Sequence, residues 1–224
     1  MAPPNRTAHT FAPLATDHPE KTGAMRLRGI VFDMDGTLCH PQNYMFTQMR
    51  SAVDIPKSAD ILDFIHALPP TEQERAFAQV EAIEKDAMSR QVPQPGLAAL
   101  LRFLDGRGVK KAICTRNFDA PVDHFLHHHV PSDVLLFDPV VTRGFRPPKP
   151  SPAGILHIAK CWGVVDSTGR PSSPSTEPLP LIMIGDSTDD MVAGHEAGAL
   201  TVLLRSEGKH DLEKDERTHV VVDR

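Results

Sequence analysis

Tryptophan and tyrosine are almost missing from this chain of 224 residues, which has one of each, and aromatic residues make up 5% of it. Positive charge is also short: 24 Lys and Arg stand against 29 Asp and Glu, a net charge of −5. Nucleic-acid binders need a basic field and usually aromatic faces for stacking, so no nucleic-acid partner is expected. The three cysteines, Cys39, Cys114 and Cys161, cannot all pair and have no metal-ligand spacing. That pattern fits free thiols in a reducing compartment. No apolar run approaches the roughly 18 residues of a membrane span, and the N-terminus lacks the apolar stretch of a secretory signal. A cytoplasmic protein without a membrane partner is expected, with organelle targeting by residues 1–24 as the alternative.

Proline, by contrast, is abundant: 21 residues against 14 glycines. The prolines have no period, which excludes collagen and assigns them to loops and linkers. Four lie in residues 1–24, read as a disordered tail, and another group lies in the polar stretch 166–180, read as a flexible loop. Order is expected from Leu27. Gly29-Ile30-Val31-Phe32 reads as a buried strand ended by the polar loop Asp33-Met34-Asp35-Gly36-Thr37. The period then becomes helical over 44–53, 58–68 and 71–90, with Thr71 as a plausible N-cap of the third helix.

After Pro93-Gln94-Pro95-Gly96 the pattern alternates. Helices are expected at 97–104, 120–128, 153–161 and 189–197, and strands at 109–114, 135–141, 181–184, 200–204 and 220–222. Strands alternating with short helices imply right-handed crossovers and a mostly parallel sheet. The expected fold is therefore α/β, a three-layer Rossmann-like core over 25–39 and 94–224. A small helical cap over 40–93 is inserted after the first strand.

In an open parallel sheet, ligands gather beyond the carboxyl ends of the strands. Successive strand ends here present Asp33 and Asp35, then Thr115-Arg116-Asn117, then Lys149, then Asp186 with Asp189 and Asp190. Asp33 and Asp35, two apart on an extended segment, would point to one side and share a ligand. Crowded carboxylates need a cation, and all-oxygen ligation suits Mg²⁺. Carboxylates, a lysine, a hydroxyl and backbone amides next to Gly36 form a set suited to phosphoryl transfer.

In these four segments the chain resembles the haloacid dehalogenase-like (HAD) hydrolases, in the branch of phosphoglycolate phosphatase and β-phosphoglucomutase. Phe32-Asp33-Met34-Asp35-Gly36-Thr37-Leu38 is similar to the family's nucleophile loop. Thr115, Lys149 and Gly185-Asp186-Ser187-Thr188-Asp189-Asp190 come next, in the family's order. The resemblance implies that Asp33 is the nucleophile and Asp35 the acid and base. It implies that Thr115 binds a phosphoryl oxygen, with Arg116 and Asn117 beside it, and that Lys149 orients the nucleophile. Mg²⁺ would be held by the Asp33 carboxylate, the Asp35 carbonyl and Asp186, with Asp190 in support. Asp35 favours a phosphatase or phosphomutase over a dehalogenase. The expected activity is Mg²⁺-dependent hydrolysis of a small phosphorylated metabolite through an aspartyl-phosphate, by a monomer or weak homodimer. A β-phosphoglucomutase-type mutase and a non-catalytic phosphate-binding regulator are the alternatives. The chain stops soon after Val222, without the last helix of many related chains, which reads as a shortened C-terminus.

Other features have plain structural readings. His124, His127, His128 and His129 lack an acidic or cysteine partner and read as a solvated helix face. Cys39 reads as a small buried residue, oxidative inactivation being the sharper alternative. Met45 and Met49 read as helix core, with Met34 a candidate pocket residue beside them. Asp189 could be a helix N-cap and Arg116 a surface ion pair.

Overall fold

The computed structural model describes residues 11–14, 24–166, 178–206 and 208–223. Strand β1 (Gly29–Phe32) is followed by three helices, α1 (Asn43–Ala52), α2 (Ile61–His66) and α3 (Pro70–Ser89). Alternation then begins with α4 (Leu97–Asp105), β2 (Lys110–Cys114), α5 (Asp119–His129), β3 (Val140–Val141) and α6 (Ala153–Cys161). It continues through β4 (Leu181–Gly185), α7 (Thr188–Glu196), β5 (Leu200–Leu204), α8 (His210–Glu213) and β6 (Val220–Val222). The strands form one sheet in the order β3-β2-β1-β4-β5-β6, every pair parallel. The chain steps outward from β1 on one side, then returns to the other at β4. The strand order therefore reverses beside β1, where an open sheet leaves a crevice at its carboxyl edge.

Side-chain alternation along β1 builds both faces. Val31 points into a core with Ile155 and Ile158 of α6 and Ala193 of α7. Ile30 and Phe32 point the other way, onto Leu97, Leu101 and Leu104 of α4 and Phe125 of α5. Three layers result. Helices α1–α3 have an apolar cluster of their own, built on Met45, Met49, Ile65, Ala76, Val80 and Ala87.

Several sequence expectations shift locally. The strand expected over 135–141 shrinks to Val140–Val141, because Pro139 has no N–H for a ladder. Leu135 and Leu136 are 68% and 80% exposed, and the Leu135 N–H donates to Asp105 instead. Helix α3 starts at Pro70, so the Thr71 cap is not used; a proline in the first turn has no N–H to satisfy. Helix α2 starts at Ile61 rather than Ser58, since Asp60 accepts from the Leu62 and Asp63 amides at 2.9 and 3.2 Å. Helix α8 has no counterpart among the helices expected from periodicity. Residues 11–14 depart from the expected disordered tail. Ala12 N–H donates to Met25 O at 2.9 Å, Arg107 Nε donates to Leu14 O at 3.0 Å, and Phe11 and Leu14 pack on the core. The other tail positions, and most of the loop expected over 166–180, lie outside the described residues.

Gly29 illustrates how closely sheet and helix layers meet. A Cβ there would lie 2.2 Å from the ring of Trp162, which is buried and anchored by Nε1 donating to Asp138 O at 2.7 Å. Gly29→Ala should therefore cost about 1–3 kcal/mol through overpacking. Denaturant unfolding followed by the emission of Trp162 checks this; an unchanged midpoint would refute the close contact.

Candidate active site

The four predicted segments converge at the carboxyl edge of the sheet. Asp33 follows β1 directly, and its N–H donates to Ile184 O at 2.9 Å, tying it to β4. Lys149 is buried between two carboxylates: Nζ donates to Asp33 Oδ1 at 2.7 Å and to Asp190 Oδ1 at 2.5 Å. Asp190 is fixed in turn by a reciprocal cap at the start of α7. Its Oδ2 accepts from Ser187 N and Oγ at 3.0 and 2.6 Å, and Ser187 Oγ accepts from the Asp190 N–H. Ser187, not Asp189, is thus the N-cap. Gly185 makes room, since a Cβ there would lie 2.3 Å from the Asp190 carboxylate.

Burial and then the charge of Asp190 raise the Asp33 pKa, outweighing the pull of Lys149. For Lys149, burial works to lower the pKa, but the charges of Asp190 and Asp33 prevail and hold it above its usual value. The ammonium therefore stays charged.

Asp35 corrects one expectation. The chain turns immediately after Asp33, with the Thr37, Leu38 and Cys39 amides all donating to Met34 O. Asp33 and Asp35 therefore do not share an extended segment. Among the described residues, the carboxylates that gather as a group of three within 4.8 Å of one another are those of Asp33, Asp186 and Asp190, and Asp35 is not a member of that group although it lines the same cavity as Asp33. The Asp35 side chain is held separately, accepting from Asn117 Nδ2 at 2.7 Å and from the Cys39 thiol at 3.4 Å. Burial, then the charge of Asp35, pushes the Cys39 thiol above its ordinary value. Gly36, at φ 81°, passes so close to Asp186 that a Cβ would lie 2.3 Å from its Oδ2. Buried Thr115 is fixed by its N–H to Val141 O at 2.9 Å, and its Oγ1 accepts from Asn117 N–H at 3.2 Å.

A cavity of about 340 Å³ lies between this edge and helices α1–α3. Asp33, Asp35, Thr115, Arg116, Asn117, Lys149 and Asp186 all line it. Met45 and Met49 line it from above, whereas Met34 is fully buried in the core below and does not reach it. Arg116 crosses the gap, pairing with Asp189 at 2.8 Å and with Asp60, the cap of α2, at 3.5 Å. Three lining residues, Lys209, Arg143 and Glu84, are not among those the sequence pattern singled out. Lys209 donates to Asp186 O and Oδ2 at 2.7 and 2.9 Å. Arg143 pairs with Glu84 of α3 at 3.5 Å, and burial raises the Glu84 pKa. Lys209 and Arg143 both lie beyond strand ends, so the rule that found Lys149 also applied to them. Glu84 carried no such signal, because helix packing alone turns it inward. The histidine run faces away: His124 rests on Gln91 at 3.1 Å and stacks on His128.

Residues 57–198 match the family model of the haloacid dehalogenase-like hydrolases. The chain belongs to that family. An uncharacterised hydrolase of Saccharomyces cerevisiae is 46% identical over 187 residues, 82% of this chain and 80% of the relative. An N-acetylmuramic acid 6-phosphate phosphatase of Pseudomonas aeruginosa is 24% identical over 213 residues, 81% of this chain and 83% of that one. In fold, the hydrolase is similar to a β-phosphoglucomutase from Clostridium difficile, with TM-score 0.65 and 18% identity over 88% of this chain and 91% of the other.

All-oxygen donors from Asp33 and Asp186, with two cationic side chains already balancing the acidic cluster, fit a single hard divalent cation. Lys149 and Asp190 depend on each other here. Asp190→Ala removes a partner from a buried charge and breaks the cap of α7, so a loss of about 3–5 kcal/mol is expected. Equilibrium unfolding measures it, and a loss below about 1 kcal/mol would contradict the burial of this pair.

Proposed function

We propose that this hydrolase is a Mg²⁺-dependent phosphatase that cleaves a small phosphomonoester through an aspartyl-phosphate on Asp33. One observation carries the reading. A buried carboxylate at the switch point of the sheet is fixed on one oxygen by Lys149 and lines the cavity, while a second carboxylate, Asp35, lines the same cavity on partners of its own.

Those two carboxylates divide the chemistry. Asp33 attacks phosphorus in line as the bond to the leaving oxygen breaks. Asp35, as the general acid, gives a proton to that oxygen. The carboxylate left behind then takes a proton from water as the water attacks the phosphorus of the aspartyl-phosphate. Inorganic phosphate leaves and Asp33 is regenerated. Asn117 and Cys39 aim Asp35 for both transfers. Thr115 Oγ1 accepts from the Asn117 amide, which leaves its own proton to donate to a phosphoryl oxygen. Lys149 neutralises Asp33 until it attacks. Arg116 is tied to Asp189 and Asp60, so its contribution is to hold the helical cap over the site. Mg²⁺, held by Asp33, the Asp35 carbonyl and Asp186, would supply charge neutralisation for the phosphoryl group. The Pseudomonas relative's name supports a phosphomonoester as substrate class.

A panel of phosphometabolites with Mg²⁺ tests the proposal. Release of inorganic phosphate that EDTA abolishes is expected, and no turnover across the panel would overturn it. Asp33→Asn should lower kcat at least about 10³-fold, in a protein that circular dichroism shows still folded but with a lower Tm, because buried Lys149 loses a charged partner. Asp35→Asn should lower kcat about 10²–10⁴-fold. Wild-type rates in either variant would refute the role assigned to that carboxylate.

A further inference from the structure

The cavity has two unlike halves. Its floor is the charged edge of the sheet. Its roof, supplied by the three helices, offers Met45, Phe46 and Met49 of α1, Ile61 and Leu62 of α2, and Val80 of α3. The roof also contains polar residues, but the structure already occupies most of them. Gln42 Nε2 donates to Ala87 O at 2.8 Å and to the Tyr44 hydroxyl at 3.1 Å. Arg50 donates to Pro56 O and Ala59 O at 2.7 and 2.8 Å, turning its guanidinium to the loop before α2. Asp60 caps α2 with Oδ1 and pairs with Arg116 through Oδ2, and Glu84 pairs with Arg143. Asn43 adds a further polar side chain to the roof, and these bonds engage Gln42 through Nε2 and Arg50 through Nη1.

A ligand part rich in hydroxyl groups would meet more hydrocarbon than polar surface here and would have to compete with these bonds for most of its partners, at a cost for each hydroxyl left unpaired. An apolar part would meet methionine side chains that adapt to its shape and an aromatic ring, Phe46, which is 44% exposed despite its size. The exposed Phe46 is explained if the substrate covers it. Resting on the phosphatase reading above, we infer that the alcohol released by this enzyme is apolar beyond its ester oxygen. The substrate class is a short alkyl or aralkyl phosphomonoester rather than a polyol or sugar phosphate. The charged floor takes the phosphoryl group, the roof takes the hydrocarbon, and a volume near 340 Å³ restricts the latter to a small group.

Matched esters provide the test. 2-Phenylethyl phosphate, hexyl phosphate, glycerol 3-phosphate and a hexose 6-phosphate are all esters of primary alcohols, so the leaving oxygens are similar. With Mg²⁺ present, kcat/KM for the two apolar esters should exceed that for the two polyol esters by at least about ten-fold, as expected for a few methylene-sized contacts. Phe46→Ser, at an exposed position that folding tolerates, should shrink this ratio about three-fold or more. Equal or higher kcat/KM for the polyol esters would overturn the inference and leave the phosphatase reading intact, as would a ratio that Phe46→Ser leaves unchanged. Absence of turnover with every ester would instead defeat the phosphatase reading. Calorimetric titration of the wild-type protein with 2-phenylethyl phosphate and glycerol 3-phosphate would then still decide the inference: tighter binding of the aralkyl ester supports it, and equal or weaker binding overturns it.

Discussion

An ammonium group shut away from water between two carboxylates is the constraint on which most of this structure depends. Lys149 lies on the loop before α6, Asp33 ends β1 and Asp190 sits in the first turn of α7, so three separate parts of the chain must arrive together. A buried charge is tolerated only when its partners are in place. The pair thus acts as a positional requirement more than as a source of stability. The register of β1 against β4, the reciprocal cap of Ser187 and Asp190, and the missing side chain at Gly185 all serve it. Pro147, Pro148, Pro150 and Pro152 flank the lysine, and their restricted backbone lowers the entropy lost in ordering that loop.

The same constraint shapes the chemistry. One oxygen of Asp33 is pinned by the lysine, which fixes the carboxylate against the cavity. The turn after Asp33 sends Asp35 to another set of partners, so the two acids meet different surroundings. Separate environments are how two identical groups acquire different tasks. Above them, the half-exposed ion pair Arg116–Asp60 and the largely buried pair Arg143–Glu84 connect the helical layer to the sheet edge. An exposed pair contributes little stability, and a buried one must offset its own desolvation. They do set where the apolar roof lies relative to the charged floor, and they keep its polar groups occupied.

Much of the fold is legible in the order of residues along the chain. Alternating strands and helices over 97–204 imply the parallel sheet, because each period reports directly on which side of an element is buried. Asp33, Thr115, Lys149 and Asp186 are legible too, since each lies just beyond the carboxyl end of a strand. Errors arise where a backbone rule competes with hydrophobicity. Leu135 and Leu136 read as strand although Pro139 ends the ladder, and Thr71 reads as a cap although Pro70 already begins the helix. Phe11 and Leu14 read as tail, because two apolar residues in a proline-rich stretch give no period to detect.

By itself the sequence determined the family, the parallel α/β architecture and which polar residues stand beyond the strand ends, all of which depend on residue type and order along the chain. Tertiary structure alone decided which groups touch. It separated Asp35 from the carboxylate cluster, recruited Lys209 and Glu84, and engaged the polar side chains of the roof so that apolar surface remained. Such pairings join residues as far apart as Asp33 and Lys149, 116 positions along the chain. No local pattern encodes them, because they arise only when the sheet and helix layers close on one another.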